Sequence, residues 1–247
     1  MGLTEIINTP VTLFSAGHIT FLIIGIVFGI TCILIGRRLS DKGKNIMLIC
    51  LLAGYMALEA AKFIRYFIIP GEFNLKTSLP FHLCSIAVFI YPLAVFSKNL
   101  TIRNFIYGVS MPGAFFALAT PDFRGAHLFS FYFVHAMYAH TFIFFIPIFM
   151  AACGFFRPDY KKLPKLFIML LTCMIPALIA NYFIGSNYFF INGVVEGTFT
   201  ETLANIVGER FYVLPMVLLV FILWVLLFSP FMISDKLKAR KEADSAN

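Results

Sequence analysis

Charge is what this sequence has least of: Asp, Glu, Lys and Arg together supply 13% of its 247 residues, against 60% hydrophobic and 17% aromatic. A soluble domain carries charge on roughly a quarter of its residues, so the scarcity excludes an ordinary globular protein and points to a chain dissolved in a bilayer. The five cysteines contain no CxxC pair and suggest no disulfide framework. No basic segment precedes the first apolar run, so no cleavable signal peptide is expected. Internal repeats, low-complexity tracts and a second domain are also missing, and residues 1–247 read as one integral membrane domain.

What the chain does have is apolar length. Runs able to span hydrocarbon, which takes roughly 20 residues each, fall at about 17–35, 45–69, 79–96, 104–119, 128–150, 165–184 and 211–228. The expected fold is therefore all-α: a polytopic bundle of seven transmembrane helices. The fourth run is short and contains Ser110, Met111, Pro112 and Gly113, so it is expected either to kink or to span only in part. Lys and Arg in short loops stay cytoplasmic. Fourteen lie in the loops after helices one, three and five and in the tail 235–247, and three, Lys76, Arg124 and Arg210, lie on the opposite side. This puts the N-terminus outside and the C-terminus inside a cell membrane. The net charge of +7 is then membrane anchoring, with no nucleic acid partner.

Against this background the polar residues stand out. In the stretch 78–91, Ser78 reads as an N-cap and Pro80 as a first-turn residue, placing His82 and Cys84 in the first two turns of a helix. A thiol there feels the positive end of the backbone dipole, which favours the reactive thiolate; the plain alternative is a small buried hydrophobe. Cys84 is the one cysteine in the outer half, with Cys32, Cys50 and Cys153 in the inner half and Cys173 near the middle. Helix two carries Glu59, Lys62 and Arg65 at spacings of three, within contact range of one another. Lys62 and Arg65 lie within snorkelling reach of the outer surface, whereas Glu59 is deeper and needs a partner.

Helix five carries His135 and His140, with His127 at its mouth, and helix six ends at Asn181, whose amide at depth needs hydrogen bonds. His135 and His140 are roughly 140° apart on a helix, which is not a zinc-binding pair, and His140 reads as hydrogen-bonded to a neighbour. His18, at the outer start of helix one, reads as interfacial. Residues 185–210 form a long outer segment able to cap the helices as a lid or a short interfacial helix.

At equal depth Cys84, His82, Lys62, Arg65, His127, His135 and Asn181 share the outer half of the bilayer. His82 and Cys84 are about 200° apart on one helix, so His135, which matches the depth of Cys84, is the better base for it. Lys62 and Arg65 suit a phosphate. A nucleophile, a base and a phosphate clamp describe acyl chemistry on a phospholipid or lysophospholipid, without a cofactor or metal. Two rivals stay open: a transporter or lipid-binding protein using Glu59, Lys62 and Arg65 as an ion or anion site, and a metal-dependent lipid hydrolase using His82, His127 and His135.

The string Leu79-Pro80-Phe81-His82-Leu83-Cys84-Ser85-Ile86, the Thr120-Pro121-Asp122 turn, Phe133-Val134-His135, Asn181-Tyr182 with Gly185-Ser186-Asn187-Tyr188, and the aromatic start of helix seven resemble the YwaF-type bacterial integral membrane proteins. These are distant relatives of human transmembrane protein 164. The resemblance implies a multi-pass protein of a bacterial plasma membrane, and a thioester-forming phospholipid acyltransferase whose cysteine matches Cys84. His135 is assigned by depth and chemistry alone.

Overall fold

A computed structural model describes residues 10–122 and 126–245; Arg124, counted above among the basic residues that set the orientation, lies outside the described residues. The described chain is helical. In order come α1 (Ala16–Arg38), α2 (Asp41–Ile68), α3 (Leu83–Phe96), α4 (Leu100–Phe105), a π-turn (Ile106–Ser110), α5 (Met111–Ala119), α6 (Phe131–Ala152), α7 (Leu163–Ile184), α8 (Phe199–Val207) and α9 (Val213–Ser245). Five of these, α1, α2, α6, α7 and α9, are long and apolar enough to cross a membrane.

Short polar side chains set the starts. Ser15, Ser40 and Ser130 accept the backbone N–H groups of His18, Gly43 and Phe133, and Asn99 accepts those of Thr101 and Ile102. Each satisfies donors that a first helical turn leaves open. The caps move several boundaries from those the hydrophobic pattern suggests. The second span starts at Asp41 rather than 45, and the fourth at Leu100 rather than 104. The fifth starts at Phe131 rather than 128, after Phe129 turns the chain at φ 67. The seventh continues through the expected cytoplasmic tail to Ser245, where Arg157 holds Asp235 by two nitrogens, at 2.6 and 3.3 Å.

The third apolar run differs most from expectation. It begins at Leu83 rather than 79, and its N-cap is His82 rather than Ser78. Ser78 is engaged upstream, where its hydroxyl accepts the Asn74 N–H at 3.0 Å and its own N–H goes to the Asn74 carbonyl. The Tyr188 phenol takes the Leu79 N–H at 3.1 Å. Those bonds hold 74–82 as a turn and delay the helix by one turn.

At the centre, α6 packs against α1, α2 and α5. Glycines of α1 allow the close approach: a Cβ on Gly25 would sit 2.7 Å from the Thr141 hydroxyl, and one on Gly29 or Gly36 would overlap Phe145 or Phe149. The principal core runs through Leu48, Tyr55, Tyr91, Phe105, Ile143 and Phe149. The fourth apolar run is interrupted by the π-turn, which leaves the Gly108 carbonyl free to accept the Trp224 indole N–H at 2.8 Å. His18 is not interfacial: it is fully buried, accepts the Phe14 N–H on Nδ1 and donates from Nε2 to the Leu118 carbonyl at 2.9 Å.

Candidate functional site

Tyr55, Glu59 and Lys62 lie on one face of α2 at spacings of four and three, a helical register that stacks their side chains. That face meets α6 and the start of α3. Glu59 is 3% exposed, and a carboxylate so deep needs charge on both sides. It has it: Oε2 accepts from Lys62 Nζ at 2.5 Å, and Oε1 lies 3.1 Å from His135 Nε2 on α6. The His135 contact is electrostatic, because the ring N–H does not point along the line to the oxygen. Lys62, Glu59 and His135 thus form one buried chain of charge and imidazole.

Cys84 is in the first turn of α3, where its carbonyl accepts from the Tyr55 hydroxyl at 3.2 Å. Because Tyr55 stands one turn from Glu59, this bond ties the start of α3 to the charged face of α2. The thiol is free and packs against the core cluster, with Glu59 and Lys62 close enough to act on it electrostatically. Among the described residues no hydrogen bond joins the Cys84 sulfur to His135, whose Nε2 is turned to Glu59 instead.

His82, two residues upstream, faces away into the loop that follows α7. Its Nδ1 accepts the Phe189 N–H at 3.3 Å, and its ring packs on Tyr188 and Phe190 at 5.0 and 4.9 Å. Phe189 and Phe190 both sit at positive φ, 60 and 55, a conformation bulky residues adopt only when their surroundings enforce it. Asn181 does much of the enforcing: its Oδ1 accepts from Tyr188 N and Ser186 Oγ, and its Nδ2 donates to the Tyr188 carbonyl. Asn181 is therefore placed on the loop rather than beside Lys62. The Tyr212 phenol adds a bond to the Phe190 carbonyl at 2.7 Å. Further along, the segment 185–210 forms a short helix, α8, docked through the Phe199 N–H on the Thr120 hydroxyl at 3.2 Å.

Arg65 is not paired with Lys62 as a clamp. It reaches Glu72 in the loop after α2, and the same carboxylate accepts from Tyr132 on α6. These donors hold the Glu72 carboxyl below the usual carboxylate range, the Arg65 hydrogen bond being the largest cause.

His140 donates from Nδ1 to the Ala136 carbonyl at 2.7 Å, the neighbour-bonded role expected of it, which leaves Nε2 as its basic nitrogen. His127 is exposed at a bridge to Pro10. His82, His127 and His135 thus go to three different places, and no group of three or more His, Cys, Asp or Glu able to hold a metal occurs among the described residues. Sequence reasoning missed Tyr55, Glu72, Tyr132 and Ser110. Ser110 is a buried hydroxyl in the π-turn with no hydrogen-bond partner among the described residues.

No curated protein and no solved structure matches the chain. A family model does, described as the TMEM164 family, and it covers residues 13–228. The matched span takes in α1 to α7, the outer loop around Phe189 and most of the apolar part of α9. This multi-pass membrane protein therefore belongs to the TMEM164 family.

Proposed function

We propose that the protein transfers or removes an acyl chain on a glycerophospholipid, through a thioester on Cys84 formed at the outer-leaflet side. The observation that carries this reading is the Lys62–Glu59–His135 chain, tied to the Cys84 turn by the Tyr55 hydrogen bond. Glu59 faces His135 at Nε2, which leaves Nδ1 as the nitrogen to serve a thiol, and a small turn of the ring would complete the arrangement of nucleophile, base and orienting carboxylate. The Nδ1 nitrogen takes the Cys84 proton, and the thiolate attacks the ester carbonyl. The same proton passes to the departing glyceryl oxygen, and a lysophospholipid hydroxyl or water then cleaves the thioester. Hydrogen bonds of this kind commonly close only with substrate present, so the missing sulfur–imidazole bond is compatible with the step.

In the same reading α3 and the helical stretch 100–119 join the five long helices as the third and fourth of seven spans in a single membrane domain. The N-terminus is outside, the C-terminus inside, and the membrane is a bacterial plasma membrane. His82 positions the start of α3 through the Phe189 loop, and Asn181 supports that loop.

The test is a thioester trap. Membranes carrying the wild-type protein and a phospholipid with an alkyne-tagged acyl chain should give a hydroxylamine-labile tagged protein, lost in Cys84→Ala and weakened in His135→Ala. Equal labelling in Cys84→Ala and wild type would end the proposal. The buried charge chain also favours a second reading, an ion-handling protein; there Glu59→Gln abolishes function and Cys84→Ala is silent.

A further inference from the structure

The seam between α2 and α6 holds a second polar cluster, roughly 9 Å outward from Glu59 at 1.5 Å rise per residue. Arg65 presents two nitrogens to one carboxylate, Nε lying 3.2 Å from Glu72 Oε2 and Nη2 bonding Oε1. The Tyr132 hydroxyl is a third donor, to Oε2. Beneath them the Phe131 ring supports the guanidinium at 4.5 Å. A planar two-nitrogen fork, a phenol and an aromatic floor converging on two oxygens make a cradle for an oxyanion, carboxylate or phosphate.

The present occupant belongs to the chain itself. Glu72 follows Pro70 and Gly71, and Gly71 sits at φ 81 with nothing within 4 Å of where a Cβ would be. The carboxylate is thus carried on a turn that begins at a glycine in the left-handed region rather than on a helix. Arg65 is 31% and Glu72 18% exposed, so the cradle opens outward. Lys62, the other cation at this depth, is already held by the buried Glu59.

We propose that the Arg65–Tyr132 cradle is a site for the phosphodiester of a lipid headgroup, and that Glu72 is a placeholder that swings out when the phosphate arrives. A phosphodiester offers the same two oxygens and single negative charge that Glu72 offers, without the loop attached. Its position also fits a lipid lying along the seam, with its phosphate at Arg65 and its ester carbonyls hanging toward Glu59 and His135. The inference deepens the acyl-transfer reading by naming its headgroup site and rests on that reading for the lipid class; binding itself does not require a reactive thiol.

The experiment therefore measures binding in a Cys84→Ala background, on the full chain in maltoside micelles. Dihexanoyl phosphatidylglycerol and inorganic phosphate are titrated as separate probes. Glu72→Gln removes the competitor and tightens phosphatidylglycerol about two- to fivefold, the range expected for releasing a partly exposed ion pair. Arg65→Gln weakens it, and Glu196→Gln, which removes the same charge from the exposed outer segment, leaves it unchanged. Inorganic phosphate following the same order shows the cradle reads phosphate as such, and a response to the lipid alone shows it also needs the glyceryl part; both support the site. The proposal is overturned by no gain or a loss in a folded Glu72→Gln, by an equal gain in Glu196→Gln, or by a response to free phosphate without one to the lipid. Because thioester formation is read separately, failure of either result leaves the other standing.

Discussion

Glu59 is the residue whose removal the fold should resist most. Glu59→Gln leaves the Lys62 ammonium without its 2.5 Å partner at 12% exposure, and stranding a buried charge costs about 3–5 kcal/mol. The variant should unfold at lower temperature in detergent, and the double variant Glu59→Gln, Lys62→Met should recover much of the loss; additive losses would mean the pair is not coupled. Glu72 gives a prediction about pH. Its folded carboxyl titrates below the ordinary 4.5, so the contribution of its clasp is present above that value and is lost as pH falls through the folded value. Protease cleavage in the loop 70–78 should therefore quicken below about pH 4.5, and in Glu72→Gln it should be fast and flat across that window. The pairing of Glu59 with Lys62 was legible from a spacing of three on one helix. Its contact with His135 was not, because matching depths across two helices says nothing about which way either side chain faces. The same gap explains Arg65, whose partner depends on a loop turning back at Gly71.

Among the elements, the contact of α1 with α6 depends on the absence of side chains. Gly29→Leu drives a branched side chain into the Phe145 ring and should cost about 1–3 kcal/mol, or more if α1 is displaced outright. Thermal unfolding should show the loss, and the pair Gly29→Leu, Phe145→Ala should regain part of it. The existence of the long apolar helices was legible because hydrocarbon length leaves little choice of structure. Their starts were not, since one serine or asparagine decides each of them and the sequence offers several. Ser78 shows why: it reads as a good cap, yet its hydroxyl answers Asn74, and the actual cap position, His82, makes no side-chain capping bond. What overrode local preference there was the outer loop, reaching back through Tyr188 from more than a hundred residues away.

For the molecule as a whole, crossing number and direction are the open expectations. In a variant with its native cysteines replaced, a single cysteine at position 192 should react with a membrane-impermeant maleimide on intact cells. One at position 241 should react only after permeabilisation; the reverse pattern would invert the charge-based orientation. The inner rim that this orientation places in the cytoplasm is braced by Arg103, buried and donating to the carbonyls of Ala94, Val95 and Phe155. Between Arg103 and α5 lies the π-turn, which packs one residue more into its height than an α-helix would. Deleting any one residue from 106 to 110 would remove that extra residue and let the stretch close as a regular α-helix, with the register on either side kept. Arg103 would keep its carbonyls, and what a homologue one residue shorter at this place must replace is the bond from the Trp224 indole to the carbonyl that the π-turn leaves free.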